Sequence, residues 1–394
     1  MKDFRAIVEA YRKTDLGKKN AAMATVIKVH GSSYRSPGAR MLITDDGRWV
    51  GSISGGCLEG DALRKARWVM NEGKCVTVTY DTREESNQNL GIGLGCNGVI
   101  DVLIEPIVHD SPSNPVRLFE GFIQTPRALA LATIYGDSGI AGAKMLSGPE
   151  GEMLFSSLRD FPPQLLNDLH RLFETRKSET RTYATTAGTV EVFLELIQPS
   201  IRLILFGAGF DARPVSQLAR ALGWEVEVTD ECVAHIAPVF FPEASKLSLC
   251  QREFIDRDFE ITPFTACVLM SHNYEYDRDV LRKLYNKSAP YIGILGPRKR
   301  FDKMLEEFRG EGIELSGDQL RKIHSPIGLD IGAEAPDEIA VSIIAEIQSV
   351  FANRPGGFLK QRMGPIHHRE NDSDQVFKQL YLDRPGNRGS SQKR

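Results

Sequence analysis

Cysteine is scarce and scattered: the six in this 394-residue chain, at positions 57, 75, 96, 232, 250 and 267, form no C-x-x-C pair. Such spacing excludes a zinc site of the usual kind and a disulfide framework, and leaves free thiols as the expectation. Charge of one sign is lacking as well. A formal net charge of -3 with 26% charged residues gives no basic or acidic face to read, so nothing points to nucleic acid. Long apolar runs are missing too, since stretches such as 203–206 and 266–270 fall far below the roughly 18 residues of a membrane helix. The opening MKDFRAIVEAYRKTD places Phe4, Ile7, Val8 and Tyr11 at helical spacing among charges, which is no secretory signal. A cytoplasmic protein is therefore expected. No repeat of 20 to 50 residues is visible, which disfavours a solenoid or propeller.

What is present is enough chain for two domains with separate cores. The first, 1–198, reads as α+β. Short strands at 23–29, 40–44 and 49–52 are joined by turns at Gly31-Ser32-Ser33 and Asp45-Asp46-Gly47, then come a helix at 58–70 and strands at 75–80 and 99–104. The stretch 111–198 is less legible, with strand-like pieces at 128–135 and 190–197 and a helix at 163–175. From 199 to 352 the pattern changes to strand, glycine turn and helix in succession, with strands at 202–206, 225–229, 266–271 and 291–295. That alternation predicts an α/β domain with a parallel, helix-covered sheet. The segment 353–394 is rich in Gly, Pro and Lys/Arg and is expected to be a flexible basic tail.

The most specific local signal is IRLILFGAGFDARPVSQLARALGWEVEVTD, a strand running into G-x-G-x-x-A, an amphipathic helix and a second strand. This is the context of a Rossmann turn. Gly207 permits the tight turn, Gly209 lets a phosphate approach the backbone, and Ala212 keeps helix and strand close. Asp230, at the end of the second strand, is placed to bind ribose hydroxyls and to disfavour a 2'-phosphate. Beside this crevice should lie Ser271-His272-Asn273, the run Arg298-Lys299-Arg300 and the segment HSPIGLDIG at 324–332. His272 is a candidate acid, base or donor, Asp277 a helix N-cap, and the basic run a solvated helix start.

Two cysteines stand in glycine settings. Ser54-Gly55-Gly56-Cys57-Leu58-Glu59 puts a thiol at the start of the predicted helix, where free N–H groups and the helix dipole would favour a thiolate. Cys96 lies in Gly93-Leu94-Gly95-Cys96-Asn97-Gly98, whose backbone can approach an anion closely. A soft thiolate suits molybdenum or sulfane sulfur, which makes Cys57 and Cys96 the metal candidates; a small buried apolar role is the alternative for each. Cys75, Cys250 and Cys267 read as core.

The segments HGSSYRSPGARM at 30–41, GSISGGCLE at 51–59 and GLGCNG at 93–98, with FGAGFDARP at 206–214, YIGILGPRKR at 291–300 and HSPIGLDIGAEAPDEIA at 324–340, resemble the XdhC/CoxI xanthine dehydrogenase accessory factors. The likeness runs over nearly the whole chain up to about residue 350. It implies a protein that binds molybdenum cofactor, as molybdopterin or its dinucleotide form. Such a protein supports sulfuration of the cofactor with a cysteine desulfurase and delivers it to a xanthine dehydrogenase-type molybdenum hydroxylase. By position the resemblance makes Cys57 and Cys96 the cofactor contacts, with Gly207, Gly209, Asp230 and His272 around a phosphate or nucleotide, and a homodimer as the assembly. Two other readings stay open: an NAD-dependent oxidoreductase using His272 as acid or base, and an adaptor that joins desulfurase to target without holding cofactor.

Overall fold

The computed structural model describes residues 1–14, 20–31, 33–82, 98–136, 139–158, 161–185 and 188–363. The chain divides into two compact units, one within residues 3–198 and one within 199–361. The expected architecture, α+β followed by a Rossmann-like parallel sheet, is the one observed. Among the described residues no helix is long and apolar enough to cross a membrane.

The first unit opens with α1 (Lys2–Lys13), followed by β1 (Ala21–Gly31), β2 (Arg40–Thr44), β3 (Trp49–Gly51), α2 (Glu59–Glu72), β4 (Val76–Asp81) and β5 (Gly98–Pro106). It continues with α3 (Pro115–Gln124), β6 (Leu129–Tyr135), β7 (Lys144–Ser147), β8 (Met153–Ser156), α4 (Pro163–Thr175), β9 (Glu179–Thr185) and β10 (Gly188–Ile197). The second series repeats the first. Both are helix, three strands, helix, two strands, and their antiparallel sheets have matching orders, β3-β2-β1-β5-β4 and β8-β7-β6-β10-β9.

Period-2 alternation builds this unit in layers. Along β1, Ala22, Ala24 and Val26 pack toward Ala62, Ala66 and Val69 of α2, while Ala21 and Met23 join Leu129, Leu131 and Ile197 of the second sheet. Along β6, Ala130, Ala132 and Ile134 face Leu165, Leu169 and Leu172 of α4. Those three leucines recur at helical spacing, and each fully buried leucine contributes about 1.5–3 kcal/mol. The result is two sheets face to face with one helix on each outer side.

Two buried ion pairs cross between the sheets at equivalent places. Arg40, at the start of β2, meets Glu195 of β10, with Nη1 to Oε1 at 2.9 Å. Lys144, at the start of β7, meets Glu105 of β5. All four side chains are at most 8% exposed. Each cation also donates to the carbonyl two residues before it, Arg40 to Gly38 at 2.8 Å and Lys144 to Gly142 at 2.9 Å. The local sequences GARML at 38–42 and GAKML at 142–146 echo each other.

The second unit holds β11 (Arg202–Phe206), α5 (Ala212–Ala221), β12 (Glu225–Asp230), β13 (Lys246–Leu249), α6 (Ile255–Asp258), β14 (Thr265–Leu269), α7 (Tyr274–Leu284), β15 (Tyr291–Ile294), α8 (Arg298–Gly310), α9 (Gly317–Arg321), β16 (Ile323–His324) and α10 (Pro336–Phe351). Its parallel sheet has the order β13-β12-β11-β14-β15-β16. Strands such as β14 are buried along their whole length, because helices cover both faces. The order reverses between β11 and β14, so the carboxyl ends of those two strands frame the ligand-binding crevice of such a sheet.

Candidate functional site

In the first sheet, three connections leave toward one end. β1 ends at Gly31, opposite Gly98 of β5; β3 ends at Gly51, opposite Met41; β4 ends at Asp81, opposite Val99. The motifs at 30–41 and 93–98 are therefore rooted side by side, and the motif at 51–59 leaves toward the same end from a point level with Ala24. Tyr34 of the first motif is exposed and lies over Gly55 of the second, where an added Cβ would meet its ring at 3.5 Å. The third connection is fastened at its base, since Thr82 Oγ1 donates to the Gly98 carbonyl at 2.7 Å and accepts from the Gly98 N–H at 3.0 Å. Cys96 stands two positions before Gly98 in sequence and lies outside the described residues.

Cys57 is half-buried at the edge of the apolar cluster under α2. The backbone N–H groups beside it, read from the sequence as free, have a partner. α2 begins at Glu59, and the N–H groups of Gly56, Cys57 and Leu58 all donate to Ser54 Oγ, at 3.2, 3.1 and 3.1 Å. Ser54 Oγ in turn donates to Glu59 Oε2, while Glu59 accepts from the Ser54 N–H at 2.9 Å and from Ser52 Oγ at 3.0 Å. Burial pushes the Glu59 carboxyl up, but the hydrogen bonds from Ser54, from its own segment and from Ser52 outweigh this and hold it below its ordinary value. The loop N–H groups just before α2 are thus held by a serine and a carboxylate, which fix the loop, while the helix start itself has no side-chain cap. Sequence reasoning missed both partners, because the spacing from Ser54 to Glu59 is not that of a capping box.

The Rossmann turn is built as expected around Gly207, whose φ is +124° and where a Cβ would stand 2.5 Å from the Met270 carbonyl. No side chain other than hydrogen fits there. Asp230, expected at ribose hydroxyls, also has backbone partners. Its Oδ2 accepts from the Ala208 N–H and its Oδ1 from the Cys232 N–H, both at 2.8 Å, and His235 Nδ1 lies 3.2 Å from Oδ2. Asp230 thus staples the glycine turn to the next loop.

His272 has a φ of +59°, in the region that favours glycine, and its ring is 66% exposed. Its Nε2 lies 2.9 Å from Oδ2 of Asp211, the residue just before α5. Asp211 was not singled out from sequence. The loop carrying His272 is held by Asp277, which is no N-cap: Asn273 caps α7, accepting from Glu275 and Tyr276. Asp277 is buried, accepts from Ser271 Oγ at 2.6 Å and pairs with Arg300 at 2.6 Å. Burial pushes its carboxyl up, against the pull of the Ser271 and Arg300 bonds. Arg300 is consequently a tie between the first turns of α7 and α8, whereas Arg298 of the same run is exposed as a helix start should be. In HSPIGLDIG, His324 Nδ1 lies 3.1 Å from Glu346 Oε1, and Glu346 Oε2 accepts from Tyr291 and the Gly328 N–H.

The described cysteines carry no disulfide. Cys250 and Cys267 are core residues, whereas Cys75 lines a cavity of about 340 Å3 beside Glu105 and Gly142, and burial pushes its thiol up to about 11. Among the described residues no group of three or more His, Cys, Asp or Glu side chains is arranged to hold a metal ion. Residues 364–394 of the basic tail lie outside the described residues.

Two protein-family profiles match the chain: one described as the XdhC and CoxI family over residues 17–81, and one described as the XdhC Rossmann domain over 203–347. Among curated relatives, a protein of Bacillus subtilis (strain 168) named as a probable xanthine dehydrogenase subunit is 31% identical over 84% of this chain and 93% of its own length. The molybdenum cofactor insertion chaperone PaoD of Escherichia coli (strain K12) is 24% identical over 88% of this chain and 89% of its own. A crystal structure described as a xanthine dehydrogenase from Bacillus halodurans superposes with a TM-score of 0.71 at 30% identity, covering 89% of this chain and 96% of that one.

Proposed function

Because the chain belongs to the XdhC and CoxI family, we propose that it is an accessory protein of a xanthine dehydrogenase-type molybdenum hydroxylase, one that holds molybdenum cofactor as cargo. In this reading it presents the cofactor to a cysteine desulfurase for sulfuration and then hands it to the hydroxylase, acting as a homodimer. Its relatives, one named as a molybdenum cofactor insertion chaperone and one as part of a xanthine dehydrogenase, support the reading. The observation that carries it is that three glycine-bearing motifs leave the first sheet toward one end. Cys57 and Cys96 belong to two of those motifs, and a soft thiol is the side chain suited to molybdenum or to sulfane sulfur.

The roles follow from chemistry. Ser54 and Glu59 hold the Cys57 loop in one conformation, so that its thiol is presented at low entropic cost. In the Rossmann unit Gly207 shapes the turn and Asp230 fastens it, which leaves the exposed His272 at the edge of the turn as the contact for the cargo. The test is an anaerobic titration of the purified chain with molybdenum cofactor, followed by metal analysis after desalting. Wild type is expected to retain stoichiometric molybdenum, and Cys57→Ala or Cys96→Ala to lose it. No retention by wild type would sink the reading.

A further inference from the structure

A Rossmann sheet of this strand order ordinarily takes a dinucleotide across the crevice where the order reverses, with the pyrophosphate at the start of the first helix. The residues here do not fit that ligand. The two lips of the crevice, the β11–α5 turn and the loop after β14, are joined by the contact of Asp211 Oδ2 with His272 Nε2 at 2.9 Å. The pair stands directly over Gly209, the glycine whose bareness would let a phosphate come close. A Cβ on Gly209 would meet Asp211 Oδ1 at 2.9 Å and the His272 ring at 3.6 Å. Asp211 Oδ1 is buried there without a hydrogen-bond partner.

The electrostatics point the same way. No side chain caps α5, and the anion beside its first turn is the carboxylate of Asp211 itself. Asp230, the second carboxylate of the turn, accepts from the Ala208 and Cys232 N–H groups. The nearest basic side chain of the turn, Arg213, is laid over the Phe240 ring at 3.8 Å from its centroid. A pyrophosphate would thus approach the start of α5 beside the Asp211 carboxylate.

We propose that Asp211 and His272 form a specificity bar, which by joining the lips of the crevice excludes dinucleotides from this Rossmann turn. The bar acts in two ways. It fills the space above Gly209, and it places a negative charge where the diphosphate would lie. His272 accepts a left-handed backbone to reach Asp211, and the Ser271–Asp277–Arg300 chain holds its loop in place.

The experiment titrates the full chain with NADH, following nucleotide fluorescence, in wild type, Asp211→Ala and His272→Gly, with thermal melting to show that each is folded. Glycine suits the φ at position 272, so this second variant removes the ring while keeping the backbone. Wild type is expected to show no saturable binding, and both variants to bind at least about tenfold tighter. Wild type that binds NADH as tightly as the variants, or folded variants that bind no better than wild type, overturns the proposal. Should Asp211→Ala not fold, His272→Gly decides alone. Molybdenum takes no part in this measurement, so its outcome is independent of the chaperone reading.

Discussion

Across the first unit the same scaffold is used twice, and the two uses differ in their connections. Both sheets carry the same strand order, the same helix placement and a buried cation at the start of the second strand. The loops are unequal. The first half spans 52–58 before its helix with the SGGC turn, and 82–97 between its last two strands; the second half makes the latter connection with residues 186 and 187. Neither α2 nor α4 has a side-chain cap, but the segment before α2 is held by the Ser54 and Glu59 network, whereas α4 starts directly after Pro162. What both halves share is therefore what the fold requires. What the first half alone possesses, including Cys57 and Cys96, the fold can do without, which supports the proposal that it serves the cargo.

The largest test of this comparison is to break the ion pairs one at a time. Arg40→Leu leaves Glu195, and Lys144→Leu leaves Glu105, as an uncompensated buried carboxylate. Each is expected to lower unfolding free energy by about 3–5 kcal/mol in urea titrations. Similar costs in the two halves sharpen the equivalence, and a loss confined to one half breaks it. The Arg40 pair has an additional support, the Phe4 and Phe119 rings at 5.0 and 4.9 Å from its guanidinium, so the Arg40 variant should be the costlier.

A smaller effect belongs to the first half alone. Ser54→Ala orphans the Gly56 and Cys57 N–H groups, leaving Leu58 N–H to Glu59 Oε2, and should cost about 1–2 kcal/mol, measured by thermal melting. An unchanged melting temperature would show that the loop needs no such hub. The smallest effect is one of pH. Glu59 titrates below its ordinary value of 4.5 in the folded chain. Its ionised form therefore contributes stability that is complete above that value and is lost as pH falls through the lowered one. The stability gap between wild type and Glu59→Gln should narrow on acidification from neutral pH to below 4.5, and a gap that widens contradicts the network.

Legibility differed between the units for a physical reason. The second unit was readable because its strands are buried runs separated by glycine turns and amphipathic helices, all local signals; only the short edge strands β13 and β16 escaped. The stretch after residue 111 was harder. β8 and β9 are half-exposed, and their alternation is broken by charges such as Arg181, so no clean period-2 pattern remains. The duplication itself left only the GARML and GAKML echo, too short to register as a repeat.

By itself the sequence determined the order of elements, the Rossmann turn at Gly207 and Gly209, and the motifs with Cys57, because each depends on neighbours in the chain: apolar period, glycine φ, helix start. Only the tertiary structure decided which charges meet. Arg40 with Glu195, Lys144 with Glu105, Asp211 with His272 and Asp277 with Arg300 are far apart in sequence. A side chain's partner across a core is set by sheet register and packing, which leave no local pattern to read.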